Sequence, residues 1–303
     1  MTGRYQVMRQ DGFTAIVESA HLWRVHLDSR KDRIVDTPEL RRLVNSSARV
    51  RLPQPPVISY DLPAELPIEP YLMGLLLGEG GMSGNGLHFT NVDEEIVQSV
   101  QNLLPPGHVI KSHIANERAV AGNWRIVGSG GKNGNVIINE LRALGLLGST
   151  ARTKFIPAAY RRGSEDDRLA LLQGLMDSDG HAGADGRLEF SSSSRWLAED
   201  LLELVRSLGG HAAMHAKTKV TYTSPTQLTP KSARPAYRVQ NINMPSHNPF
   251  RLTRKAVRFR PRNGAWARRI RLVELMLPGC RAELAPSAQP FYDGFSWKQV
   301  PQT

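Results

Sequence analysis

Two stretches of the chain combine large apolar residues with small ones at helical spacing. YLMGLLLGEGG (Tyr71 to Gly81) and LLQGLMDSDGH (Leu171 to His181) place a small residue at every fourth position, Gly74 and Gly78 in one, Gly174 and Ser178 in the other. Small residues four apart let a second helix backbone approach closely, so the pattern predicts two helices docked against each other. The expected starts are Pro70 at a first helical position and Ser164 with Asp167 in a capping box. Both runs end in an acid followed by glycine, Glu79-Gly80 and Asp179-Gly180, and those glycines permit an abrupt stop.

The likeness extends beyond the helices, as an internal repeat requires. Seven residues past each acid stands another glycine, Gly86 or Gly186, then a strand-like segment, LHFT (Leu87 to Thr90) or RLEFS (Arg187 to Ser191). A helical pattern follows each, DEEIVQSVQNLL from Asp93 and RWLAEDLLELVRSLG from Arg195, and then β-rich runs including WRIV (Trp124 to Val127) and YRVQN (Tyr237 to Asn241). A lysine closes each half, Lys154 lying 75 residues beyond Glu79 and Lys255 76 beyond Asp179. The order predicts two similar α+β subdomains joined through the glycine-containing helices.

The terminal acids pose an electrostatic problem. A helix C-terminus carries partial negative charge, and two carboxylates meeting there repel each other as well. A divalent cation between Glu79 and Asp179 would offset both terms; the alternative is that each acid points separately into water. The run DSDGHAGADG (Asp177 to Gly186) lacks the ligand spacing and terminal Glu of a helix-loop-helix calcium site.

Composition adds a partner. Lys and Arg number 39 against 28 Asp and Glu, a net charge of +11, which favours a polyanion such as nucleic acid. Nine Lys or Arg and no acid lie between Arg251 and Arg271, with Phe250, Phe259 and Trp266 interleaved, although an ordinary basic helix carries such a pattern too. The apolar stretch Leu72 to Leu77 is too short to cross a membrane, and the N-terminus lacks the apolar segment of a secretory signal. With the single Cys280 excluding an intrachain disulfide, the expectation is a soluble, cytoplasmic protein with no membrane partner.

LMGLLLGEG (Leu72 to Gly80) and LQGLMDSDG (Leu172 to Gly180) resemble the nine-residue motif of the LAGLIDADG (DOD-type) homing endonucleases, and the resemblance spans residues 62 to 262. It implies an α+β monomer of two pseudo-symmetric αββαββα halves, whose saddle-shaped antiparallel sheets straddle the major groove of double-stranded DNA. It also implies Mg²⁺, with Mn²⁺ as a substitute, held at Glu79, Asp179, Gly78 and Ser178. The expected product is a staggered double-strand break with short 3′ overhangs. The first copy departs from the motif in carrying Glu79 where aspartate is commoner. KFIP (Lys154 to Pro157) resembles the block that supplies an active-site lysine, and Lys255 is its counterpart; each is read as a catalytic group or as a phosphate-backbone contact. Candidate DNA contacts on the strands are Arg125, Arg187, Lys217, Lys219 and Arg238, joined by Arg254 and Arg258 of the basic run; surface salt bridges explain any of them as well.

The chain ends resemble the β-rich Hint fold of inteins. HLW (His21 to Trp23) and DTPEL (Asp36 to Leu40) are similar to the N-terminal splicing region, with His21 at the position of the assisting histidine, and RRIRLVEL (Arg268 to Leu275) and FYDGF (Phe291 to Phe295) resemble late Hint strands. Met1-Thr2-Gly3 offers no splicing nucleophile and the chain ends WKQVPQT without the usual His-Asn, so a remnant without self-sufficient splicing is expected. The expected organisation is a Hint-like segment at 1–60, subdomains at 61–158 and 159–262, and a Hint-like tail at 263–303. Beside site-specific cleavage stand two alternatives: an intein or split-intein fragment that splices, and a non-cleaving, maturase-like DNA- or RNA-binding protein.

Overall fold

The structure, a computed structural model, describes residues 3–9, 12–27, 32–46, 49–53, 56–60, 65–84, 86–112, 122–129, 134–217, 220–224, 227–233, 235–261 and 270–275. Its contacts divide the chain into two compact units, Met1–Gln54 with Trp266–Thr303, and Pro55–Ala265. Lys219 and the segment Phe291 to Phe295, both singled out above, lie outside the described residues. No described helix is long and apolar enough to cross a membrane.

In the first unit β1 (Arg4–Arg9) sits between β2 (Thr14–Glu18) and a strand from the far end of the chain, Ile270–Leu275 (β15 in chain order), both antiparallel. A hairpin of β3 (Trp23–His26) and β4 (Asp32–Val35) leads into α1 (Thr37–Asn45), which Asp36 caps by accepting the Glu39 N–H at 2.8 Å. Val7, Val25, Val35, Leu40, Leu43, Val50 and Leu52 form its core.

The second unit is built round α2 (Pro70–Glu79) and α6 (Glu165–Ser178). Residues Tyr71 to Leu77 are buried on every side, as expected of a helix apolar all round. Pro70 is the first residue of α2, and Ser164 and Asp167 form a complete capping box on α6. After α2 come β5 (Gly80–Gly81), β6 (Leu87–Asn91), α3 (Glu94–Leu103), β7 (His108–Ser112), β8 (Gly122–Gly128) and α4 (Val136–Ala143). A short α5 (Ala158–Arg161) precedes α6. Then follow β9 (Gly180–Ala182), β10 (Leu188–Ser192), α7 (Arg195–Ser207), β11 (His211–Lys217), β14 (Ala236–Asn243) and α8 (Thr253–Ala256), with a hairpin of β12 (Val220–Ser224) and β13 (Gln227–Ala233) inserted before β14. Both four-stranded sheets are antiparallel and use one strand order, β5-β6-β8-β7 and β9-β10-β14-β11.

Alternation decides the sheet faces. Along β6, Leu87 and Phe89 point into the core while His88 and Thr90 point out. Directly paired residues share a face, so His88, Arg125 and Lys111 form one outward row, and Ser191, Arg238 and His215 another.

Candidate active site at the paired helix ends

Glycine sets how closely the central helices approach. A β-carbon on Gly74 would collide with the Leu171 carbonyl oxygen, and one on Gly174 with that of Tyr71. One turn on, a β-carbon on Gly78 would strike the Ser178 hydroxyl, so the two helices stay close up to their C-terminal ends. Gly80 and Gly180 end the helices without a left-handed turn, since neither has positive φ. A β-carbon at either would instead collide with the carbonyl oxygen four residues earlier, that of Leu76 or Met176, as the strand turns off the helix end.

Glu79 is the last residue of α2 and Asp179 the C-cap of α6, so the close approach brings the two acids to adjoining helix ends. Asn91, at the end of β6, donates to Glu79 Oε2 at 2.5 Å. Burial pushes Glu79 up to about 7, assisted by the charge of Asp179 and opposed by the Asn91 hydrogen bond. Asp179 keeps a solvent-facing surface, yet crowding by protein raises it above the usual carboxylate range, opposed by Lys154 and Lys255.

Both lysines converge on these helix ends and are almost fully buried, Lys154 at 5% and Lys255 at 6% exposure. Lys154 Nζ donates to the carbonyls of Leu76, Leu77 and Gly78 at 3.2, 2.8 and 3.0 Å. Lys255 Nζ lies within 3.4 Å of the carbonyls of Met176, Asp177, Ser178 and Gly180. An ammonium has three N–H groups, so each lysine is fully engaged by carbonyls at and just beyond the helix C-terminus, of which those of Leu76 and Met176 also accept a backbone N–H. Burial lowers Lys154 to about 8 and lowers Lys255 as well, while nearby acids oppose the shift in both. The helix-end charge that the sequence assigned to a metal is thus already partly balanced by two internal cations.

A divalent cation here would have to be held by Glu79, Asp179 and backbone oxygens. The Ser178 hydroxyl donates to Gly174 and Leu175 of its own helix at 2.9 and 3.0 Å. Its carbonyl, like that of Gly78, also accepts a lysine. No group of three or more His, Cys, Asp or Glu suited to a metal occurs among the described residues. Two carboxylates fit a hard cation that keeps water and takes substrate phosphate, as Mg²⁺ does, better than a dedicated protein cage.

The candidate DNA contacts separate into two groups. Arg125, Arg238 and Lys217 stand on outward sheet faces, consistent with their strand placement. Of the rest, Lys219 lies outside the described residues, while Arg187 pairs with Asp185 at 2.9 Å and Arg254 with Asp93 at 2.6 Å. Arg258 donates to the Ala182 carbonyl at 3.1 Å. Of the interleaved aromatics, Phe250 is buried in the core and Phe259 packs against it, while Trp266 lies outside the described residues. The first part of the basic run thus packs against the fold through Phe250 and Phe259, while Arg251, Arg254, Arg258 and Arg260 stay exposed. His21 meets the Trp23 ring edge-on at 4.7 Å, and Thr37 donates to the His21 carbonyl at 3.3 Å; these contacts hold a turn.

Sequence reasoning missed Asn91, Asp177 and the supports of the lysine segments. Ser194 donates to the Lys154 carbonyl at 2.6 Å, and Asp200 accepts from Ile156 N–H at 2.7 Å. No spacing pattern marks them, because each partner is distant in the chain.

Residues 166–241 match the family model of the LAGLIDADG-like domain. The chain is also 32% identical over 170 residues to the replicative DNA helicase DnaB of Mycobacterium intracellulare, a match covering 56% of this chain and 23% of the helicase. The chain thus spans about a quarter of the length of that relative. Among solved structures it is similar to I-DmoI in complex with DNA and Ca, at TM-score 0.39 and 14% identity, covering 62% of this chain and 94% of that one. I-DmoI with DNA and Mn gives TM-score 0.36 and 16% identity, over 57% of this chain and 87% of that one.

Proposed function

We propose that this chain is a site-specific DNA endonuclease that makes a staggered double-strand break. The observation that carries the reading is the convergence of Glu79 and Asp179 at glycine-packed helix ends, with a buried lysine behind each. The LAGLIDADG-like match over residues 166–241 and the +11 charge support it. Mg²⁺ is the proposed cofactor, held by Glu79 and Asp179; when bound it supplies Lewis-acid polarisation and charge neutralisation at the scissile phosphate. In hydrolysis a water oxygen would bond to phosphorus as the bond to the 3′ oxygen breaks; the water loses a proton to solvent, and the leaving 3′ oxygen takes one up from solvent to become a hydroxyl. Lys154 and Lys255 fix the helix ends and hold positive potential beside the acids, which favours an incoming phosphate. Arg125, Arg238 and Lys217 approach the DNA from the sheet faces, and the chain acts as a monomer in the cytoplasm.

Purified protein with Mg²⁺ and a plasmid carrying the uninterrupted target locus should give a discrete linear product. Asp179→Asn should lower that yield by at least about 100-fold. Specific binding without cleavage in either Mg²⁺ or Mn²⁺ would transfer the protein to the non-cleaving class.

A second reading, an endonuclease carried within a splicing element, is favoured by the partial match to a helicase. In-frame host-gene segments on both sides of the coding sequence would support it, and their absence would remove it.

A further inference from the structure

We propose that Asp177 is a positioning residue that seats the Lys255 segment on the end of α6. Its carboxylate is almost completely buried, at 1% exposure, and Oδ2 accepts from the backbone N–H groups of Arg251 at 2.9 Å and Leu252 at 3.0 Å. The same residue's carbonyl accepts Lys255 Nζ at 2.6 Å. Asp177 therefore grips the segment at both ends, its start through the side chain and its lysine through the backbone. A third donor to Oδ2 is the Tyr71 hydroxyl of α2 at 2.9 Å, which ties the grip to the opposite helix.

The residues round Asp177 reinforce it. The Arg251 guanidinium lies 4.3 Å from the centre of the Tyr71 ring and donates to Gln173 at 2.7 Å. From the first half, Glu95 accepts from the Thr253 N–H at 3.1 Å, and Asp93 takes Arg254. Asp177 lies on the motif helix itself, two residues before Asp179, and its carboxylate receives the backbone N–H groups at the start of this segment.

The first half is built differently. Leu77 stands at the place in α2 that Asp177 occupies in α6, and the Lys154 segment is held by Ser194 and Asp200 instead. The two lysines are thus placed by unlike means, and loss of Asp177 should disturb Lys255 alone. Asp177 touches no reacting atom in this scheme; it acts through Lys255.

The test combines hydrogen exchange with plasmid cleavage in full-length protein. In Asp177→Leu, which copies the first half, and in Asp177→Ala, which cannot overpack, the Arg251 and Leu252 amides should exchange roughly 100-fold faster. Asp177→Asn, which keeps an acceptor oxygen, should retain their protection. The cleavage arm rests on the proposed endonuclease reading. There, Leu or Ala should slow conversion of nicked to linear plasmid by about 10- to 100-fold, with DNA affinity in Ca²⁺ within about twofold of wild type, and Asn should restore linear product. Unchanged amide protection in a folded Leu or Ala variant would overturn the proposal, as would unchanged linearisation. Wild-type protein that cuts no DNA would defeat the endonuclease reading but leave the exchange arm to decide the role of Asp177.

Discussion

Gly74 and Gly174 face each other across the central helix pair so closely that a β-carbon on either would lie 2.9 Å from the other's Cα. Neither glycine has positive φ, so the constraint is steric and belongs to the pair. Gly74→Ala or Gly174→Ala should destabilise the protein by about 1–3 kcal/mol, since relief requires the backbones to separate. Chemical denaturation measures this, and the double variant should cost less than the sum because one separation relieves both clashes.

Glu79 is expected to weaken the metal-free fold. Its folded pKa of about 7 lies above the ordinary 4.5, so the folded state holds the proton more tightly than the unfolded one. Stability therefore falls as pH rises from about 4.5 to 7 and stays lower above that window. Glu79→Gln should raise the metal-free Tm at pH 8 and leave it unchanged at pH 4. Under the proposed function, Mg²⁺ should raise the wild-type Tm more than that of the variant.

Removal of a lysine acts on both stability and titration. Lys154→Met strips a donor from the carbonyls of Leu76, Leu77 and Gly78 and should cost about 2–4 kcal/mol by denaturant unfolding. Lys255 lowers the proton affinity of both Glu79 and Asp179, so Lys255→Met should move the acid limb of cleavage to higher pH. A pH–rate profile with an unmoved acid limb would contradict this.

Arg168 offers a prediction away from the catalytic ends. It is fully buried, at 0% exposure, and donates to the carbonyls of Gly163, Ser207 and Ile58 and to the Ser207 hydroxyl, with its guanidinium 5.0 Å from the centre of the Tyr60 ring. Arg168→Met should release the 56–60 segment and cost about 3 kcal/mol. Limited proteolysis should then cut close to that segment before the rest of the unit.

Arg125 and Arg238 occupy matching middle strands on the outward faces of the two sheets. Each Ala substitution should weaken DNA binding, and a phosphate contact should reduce the salt slope of binding by about one. Relaxed sequence preference with an unchanged slope would mark a base contact instead.

Much of this architecture is legible in local sequence. Pro70, the Ser164–Asp167 box and the alternation of Leu87 to Thr90 involve neighbours within a few residues, where backbone geometry and burial impose short periods. The helix pair was legible for a related reason, because close packing leaves small residues at a fixed spacing. The repeat further marked Glu79, Asp179, Lys154 and Lys255 as a set. It did not give the lysines their places as buried caps, because an ammonium's partners there are carbonyl oxygens, which every residue possesses and no sequence pattern displays.

The sequence by itself determined the helices, their tight pairing and the two acids at their ends. Only the tertiary structure decided how that charge is balanced. It turns Lys154 and Lys255 inward, sets Asn91 on Glu79, and gives Asp177 to the Lys255 segment. It also engages Arg254 with Asp93 and buries Phe250, although both stand in what reads as one basic, aromatic run. Apart from the Asn91–Glu79 contact, the polar pairings join residues some 75 to 160 positions apart, and for the buried lysines the driving term is the unfavourable burial of an unpaired polar group.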